Sequence, residues 1–170
     1  EKAQAEMFQA VYYFEQDSIE FALNGDGSNA GFLKIIDDYG RTDAANLAHF
    51  YVGSIYLSQG EFQKAVDHLK QFSADDFFVQ ARAFALLGDA YMELDNTKDA
   101  IAAYKRAIDH KENKFFAPRY LSKLAVAYEE AGDLDNAIKA YGEIEDKYFE
   151  SFEYTNARKH KARLEGLAAK

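Results

Sequence analysis

Along residues 81 to 109 the apolar and small residues keep a helical rhythm that breaks once. Phe84, Leu87 and Tyr91 recur at three- and four-residue steps, with Gly88 beside Leu87, as on one face of a helix. Asp95-Asn96-Thr97 then supplies turn chemistry, and Ala100, Tyr104 and Ala107 mark a stripe on a second helix. The same set recurs on either side: Val52-Gly53, Tyr56, Ala65 and Leu69 upstream, Leu124-Ala125, Tyr128, Ala137 and Tyr141 downstream. The step is 35 residues from Ala65 to Ala100 and 37 from Ala100 to Ala137. The longer steps fall between units, near Phe77-Phe78 and Phe115-Phe116, where they extend a connection and spare the helices.

Each recurring position has a packing reason. Helix backbones approach closely only across small side chains. Gly53, Gly88 and Ala125 therefore predict closest approach to a second helix at Ala65, Ala100 and Ala137. Tyr56, Tyr91 and Tyr128 fill the wider end of each pair and keep a hydroxyl near water. Gly60 and Gly132 suit a left-handed residue just past a helix end, and Asn96 and Asp133 can cap the next helix. Asp95 stands where the second unit's glycine belongs, which predicts a slightly different turn there. A non-repeating bundle with a chance Gly/Ala spacing is the competing reading; turn residues recurring in register argue against it.

This layout of large residue, Leu-Gly, Tyr, then Ala and an aromatic at about 34 residues resembles the tetratricopeptide repeat. The resemblance implies an all-α solenoid of antiparallel helix pairs, an α–α superhelix, as one domain over residues 1–170. Units are expected at 46–79, 81–114 and 118–151, with an N-terminal helix and degenerate repeat over 1–45 and a capping helix over 152–170. Residues 1 to about 24 read as one long helix, with Met7, Val11 and Phe14 on one stripe and Phe8, Tyr12, Ile19 and Leu23 on another. Asn24-Gly25-Asp26-Gly27-Ser28 ends it, and Ser28 or Asn29 would cap a short helix over 31–39. Gly31 and Ile35 each lie 34 residues before Ala65 and Leu69. That spacing frames residues 12–45 as the degenerate unit, with Ile19 and Ala22 where its Gly and Tyr would be. Pro118 fits the start of a helix, where its missing amide costs nothing. Phe152, Leu164 and Leu167 are the expected contacts of the last helix, which covers the open end of the stack.

In the tetratricopeptide family the first helices line a concave groove that usually holds a peptide or an extended partner segment. Carried over position by position, the groove takes Leu47, Phe50, Ser54 and Leu57 from the first clear unit. It takes Arg82, Ala85, Asp89 and Met92 from the second, and Arg119, Ser122, Lys123, Val126 and Glu129 from the third. Such a surface is apolar at its N-terminal end and mixed in charge at the other. The alternative is that the N-terminal helix covers Leu47 and Phe50 while Arg119 and Lys123 pair with Glu129 and Glu130. A subclass that clamps chaperone C-terminal carboxylates matches only at Arg119 and Lys123. Phe50, Ser54 and Leu86 occupy places that subclass gives to Lys and Asn, so a chaperone-tail adaptor is not expected.

Composition removes other classes. With 48% hydrophobic residues and one proline in 170, the chain can bury a core and has no Pro-rich linker. A net charge of −9 argues against non-specific nucleic-acid binding. Absent cysteine excludes disulfides, thiol catalysis and thiolate metal sites. His49, His68, His110 and His160 show no metal-ligand spacing, no Gly-rich loop has a phosphate-binding context, and adjacent acids such as Asp37-Asp38 diverge on a helix. No enzyme, cofactor or metal is therefore expected. The C-terminal basic run Arg158-Lys159-His160-Lys161 with Arg163 gives a net +4 from residue 154 onward, against −13 before it. It reads either as a solvated helix face or as a contact for anionic lipid or an acidic partner. Phe77-Phe78 and Phe115-Phe116 read as plugs in the inter-unit joints, with an exposed sticky patch as the alternative.

The N-terminal helix, the Asn-Gly-Asp-Gly break and the Gly-Phe-Leu-Lys-Ile-Ile segment in residues 1–40 are similar to bacterial cell-envelope tetratricopeptide proteins related to the ancillary Sec-translocon subunit. That resemblance implies a membrane anchor outside this chain and a soluble domain facing out of the cytoplasm, with a cytoplasmic location as the alternative. The functional expectation is a non-enzymatic scaffold binding an extended peptide or partner segment in secretion or assembly. The alternative is a module that self-associates through its ends or its inter-repeat phenylalanines. As an oligomer the chain is expected to be a monomer or a weak homo-oligomer.

Overall fold

The computed structural model describes residues 2–109 and 114–169. These form ten helices: α1 (Lys2–Glu15), α2 (Ile19–Asn24), α3 (Phe32–Tyr39), α4 (Asp43–Ser58), α5 (Phe62–Leu69), α6 (Phe77–Glu93), α7 (Thr97–Asp109), α8 (Ala117–Glu130), α9 (Leu134–Lys147) and α10 (Tyr154–Ala168). Among the described residues the only strand-like pairing is an isolated bridge between Gly25 and Ala30. The chain divides into two compact units, Glu1–Ala74 and Asp75–Lys170.

In the first unit the expected single helix over residues 1–24 is broken. Asp17 takes a left-handed φ of 58°, and Ser18 N–H donates to the Tyr13 carbonyl at 2.8 Å while Asp17 N–H donates to Phe14 at 3.1 Å. That pair of bonds is a Schellman closure, and it turns α2 back against α1. The fold buries Ala10, Ala22 and Leu23 in one core, while Phe8 and Tyr12 of the second expected stripe stay exposed. The repeat frame of this segment also moves. Ala10, Tyr13, Asp17 and Ala22 carry the spacing of Gly53, Tyr56, Gly60 and Ala65, so α1 and α2 are the first hairpin and α3 follows as an additional helix. Ile35 is buried like Leu69, as expected, but Gly31 is the residue before α3 and not part of a helix seam. A methyl group there would stand 2.3 Å from the Leu23 carbonyl oxygen. Ser28 and Asn29 do not cap α3: their amides bond Oδ1 of Asp26 at 2.8 and 2.7 Å, which closes the loop on itself.

The α4–α5, α6–α7 and α8–α9 pairs share one turn. Glu61, Asn96 and Asp133 each donate a backbone N–H to the carbonyl of Tyr56, Tyr91 and Tyr128, all at 2.9 Å. Gly60, Asp95 and Gly132 sit between at φ of 78°, 56° and 75°. The turn at Asp95 therefore matches the glycine turns, with a non-glycine residue held left-handed at a cost of about 1–2 kcal/mol. Asp133 and Asn96 cap as expected, accepting from Asn136 N–H at 3.2 Å and Asp99 N–H at 3.3 Å.

The seams are as close as the small residues predict, though the nearest partner differs. Ala65, Ala100 and Ala137 are fully buried, but the groups lying over the glycines belong to Leu69 and Tyr104, one turn further on. A methyl group on Gly53 would meet Leu69 Cγ at 2.6 Å, and one on Gly88 would meet Cε1 of Tyr104 at 2.5 Å.

In the second unit α10 closes the C-terminal end through Ala157 and Leu164, which join the core of α8 and α9. Phe152 and Leu167 do not: Phe152 lies in the turn before α10 at full exposure, and Leu167 is half exposed. Polar contacts supply the rest. Lys161 Nζ donates to Glu145 Oε2 at 2.9 Å, Arg158 lies 3.5 Å from Oε1 of the same carboxylate, and Arg163 pairs with Glu129. The basic run thus faces acids of α8 and α9, and is not merely a solvated surface.

Two predictions follow from packing and charge. Gly88→Ala should lower unfolding free energy by about 1–3 kcal/mol, the range for overpacking. Gly166→Ala has no neighbour within 4 Å and should raise it by up to about 1 kcal/mol through helix propensity; urea denaturation of both variants checks the opposite signs. Hydrogen bonding from Lys161 holds the Glu145 carboxyl below its ordinary pKa, and the Asn136 side chain and backbone amide do the same for Asp133. Groups depressed in the folded state stabilise it above their unfolded pKa, and that stability is lost as pH falls through the folded value. Thermal stability should therefore fall across the acid range below about pH 4.5, and Glu145→Gln should flatten that dependence.

Candidate partner-binding surface

In the second unit, α6 and α8 present matching strips. Phe78 and Arg82 stand one turn apart on α6, with Asp89 and Met92 further along; Arg119, Lys123 and Val126 follow the same order on α8. At the start of the strip the Phe116 ring, just before α8, meets Phe78 edge-on with centroids 5.9 Å apart and stacks on Tyr120 at 6.3 Å. Phe78 and Phe116 are each 44% exposed, so these rings form a platform open to solvent. Arg82 and Arg119 are exposed beside it. Burial raises the Tyr120 pKa, and the charges of Arg119 and Arg82 oppose that rise.

Midway, Asp89 is shared. Its Oδ1 accepts from the Tyr104 hydroxyl at 2.7 Å and from Lys123 Nζ at 2.6 Å. Burial first, and then this bond, raise the Tyr104 pKa, so the phenol remains a donor and fixes the carboxylate. The alternative in which Lys123 pairs with Glu129 or Glu130 does not hold: its partner, Asp89, stands on α6. Glu129 is engaged elsewhere, accepting the Tyr141 hydroxyl at 2.9 Å and pairing with Arg163. Both cross-links span 34 residues, from Asp89 to Lys123 and from Glu129 to Arg163. By this measure α10 stands to α8 as α8 stands to α6. Beyond the ion pair, Met92 packs against the core and Val126 is 45% exposed. Ala85 is buried and Ser122 half-buried.

In the first unit the α4 positions are more enclosed. Leu47 is at the margin of exposure, and Leu57 is half-buried. Ser54 spends its hydroxyl on the Phe50 carbonyl at 2.9 Å. The cover over Phe50 comes from Phe72, at 5.2 Å between centroids, while Phe14 of α1 meets Tyr51 at 5.1 Å.

Other candidates resolve differently. The Phe115-Phe116 pair is no plug, since Phe115 is 77% exposed. Together with Phe149 and Phe152 it borders a recess of about 360 Å³ at the α9–α10 turn. His160 stacks on Tyr141 at 5.4 Å, and His110 lies outside the described residues. His49 and His68, 19 residues apart, are brought face to face. Among the described residues no three His, Cys, Asp or Glu side chains converge as a metal site, and no helix is long and apolar enough to cross a membrane. Sequence reasoning missed the Phe78–Phe116 platform and the Asp89–Lys123 tie; for the second, the 34-residue spacing of opposite charges was the available signal.

A tetratricopeptide repeat family model matches residues 53–114 and 85–148. No curated protein matches. Among solved structures, a crystal structure of MamA protein aligns with 95% of this chain and 87% of its own, at TM-score 0.70 and 22% identity. A second crystal structure of MamA covers 82% of this chain and 87% of its own, at TM-score 0.59 and 25% identity. A Podosopora anserina putative kinesin light chain with nearly identical TPR-like repeats covers 96% of this chain and 84% of its own, at TM-score 0.66 and 14% identity. The structural neighbours share the fold, and the family model spans more than half of the residues. The chain belongs to the tetratricopeptide repeat family.

Proposed function

We propose that this chain is a non-enzymatic docking module that holds an extended segment of a protein partner on the exposed faces of its first helices. The observation that carries the reading is the strip on α6 and α8. An open Phe78–Phe116 ring platform leads to two exposed arginines, a fixed Asp89–Lys123 pair and the exposed Val126. An extended chain can lay an apolar side chain on the rings, an acidic one against Arg119, and a second apolar one beside Met92 and Val126. The ion pair stays in place because Tyr104 anchors it. Leu47, Phe50, Ser54 and Leu57 on α4 are the corresponding positions of the first unit, and Glu129 serves the cap more than the strip. Tetratricopeptide repeats as a class bind proteins.

Within the same proposal the module works in a bacterial cell envelope, tethered by a membrane segment outside these residues, in secretion or assembly. What supports that location is the resemblance of residues 1–40 alone; fractionation of the native protein into the cytosolic pool would overturn it. A second reading, self-association, is favoured by one observation. Phe115, Phe149 and Phe152, exposed at 77%, 64% and 102%, surround the recess at the α9–α10 turn.

Peptides selected from a random library against the chain should lose at least about tenfold in affinity, or roughly 1.4 kcal/mol, on Arg119→Glu or Val126→Asp. Thermal stability should be unchanged, since both side chains are exposed. Peptides indifferent to both substitutions would contradict the docking face. Sedimentation over a concentration series separates the readings: a monomer throughout removes self-association, and a dimer abolished by Phe149→Ser with Phe152→Ser establishes it.

A further inference from the structure

The first unit holds a side-chain pair that partner docking leaves unused. His49 on α4 and His68 on α5 face each other across the helix pair, Nδ1 to Nδ1 at 3.0 Å, with ring centroids 5.0 Å apart and planes inclined at 40°. Burial holds both pKa values below the ordinary histidine value, and for His68 the charge of His49 adds to that while the Asp67 carboxylate opposes it. At that separation one Nδ1 donates to the other, so at most one proton lies between the two nitrogens. Around them, the Tyr56 ring lies 5.6 Å from the His68 ring and the Asp67 carboxylate acts on His68 from its own helix. Lys64, the nearby cation, is held by Glu61 at 3.1 Å and by the Tyr56 ring face.

Two imidazole nitrogens at this separation match two cis positions of a transition-metal ion. An ion about 2.0–2.1 Å from each nitrogen would hold them at an angle of roughly 91–97° at a spacing near 3.0 Å. Square-planar or tetragonal copper(II) and nickel(II) prefer that right angle. Tetrahedral zinc would need the nitrogens about 0.3–0.4 Å further apart. We propose that His49 and His68 form a two-imidazole chelate for a divalent transition-metal ion, copper(II) or nickel(II) ahead of zinc(II), that clasps α4 to α5. On binding, the proton between the rings moves to the outer nitrogen, Nε2, of the ring that carried it, which frees both Nδ1 lone pairs for the ion. Water fills the remaining positions of this half-buried site, which makes the ion exchangeable. Because the ion binds only when both helices are in place, it stabilises the first unit by linkage.

The test is titration of the chain with copper(II) sulfate and, separately, nickel(II) sulfate in a non-coordinating buffer. Copper should broaden the imidazole NMR signals of His49 and His68 first, with His160 sharp through the first equivalent, and should raise the thermal midpoint. His49→Asn and His68→Asn should each weaken binding by about tenfold or more and abolish the thermal shift, while His160→Asn leaves both intact. Broadening spread evenly over all histidines, or affinity unchanged in both variants, would overturn the site. The NMR arm uses the unsubstituted chain, so a variant that fails to fold does not leave the question open.

Discussion

Reversing the chain inside a single left-handed residue is the constraint on which each unit depends. Helices that approach across glycine or alanine leave no room for a wide loop. The turn must end one helix, satisfy its last carbonyls and start the next within a few residues. Four hairpins solve this the same way, with a carbonyl of Tyr13, Tyr56, Tyr91 or Tyr128 accepting from the amide five residues on at 2.8–2.9 Å. Two of the four pivots are aspartates, Asp17 and Asp95. They hold a conformation unfavourable for L-residues, which the buried seams around Ala10 and Gly88 enforce.

Once the hairpins are closed, what they leave outside is decided by side-chain partners. Tyr104 and Tyr141 lie over the seams and turn their hydroxyls to carboxylates of the preceding first helix, Asp89 and Glu129. Those carboxylates then receive a cation from the next first helix, Lys123 or Arg163. Core packing and surface charge are thereby one system. The tyrosine that fills the seam also fixes the acid that orders the exposed strip. The basic C-terminal helix uses the same link to close the end of the stack, which explains how so polar a helix, with only Ala157 and Leu164 buried, docks at all.

Much of this was legible in the chain. The Gly/Ala–Tyr–Gly–Ala register gave the three clear pairs and their turns, because close packing leaves few residue choices at those places. The N-terminal hairpin was not legible by the same route. Asp17 replaces the glycine there, and the apolar stripes of α1 continue in phase into α2, so hydropathy runs straight through the break. The decisive signal was Tyr13 with alanines three residues before and nine after it, which copies the spacing around Tyr56. For the candidate surface, the register offers positions on α6 and α8 but says nothing of their partners. Lys123 chose an acid one repeat away over one on its own helix, and His49 met His68 across a pair that no local motif links. Exposure of Phe115 and Phe152 was equally hidden, since a phenylalanine before a helix reads as an anchor.

Amide hydrogen exchange at Ser18, Glu61, Asn96 and Asp133 tests the central claim most directly, because these four amides make the closing bond of each hairpin. The account predicts that all four are protected well beyond their exposed neighbours, Ser18 and Asn96 included despite their aspartate pivots. Free exchange at Ser18 or Asn96 with protection at the glycine-pivoted pair would contradict it, by showing that the aspartate turns do not close.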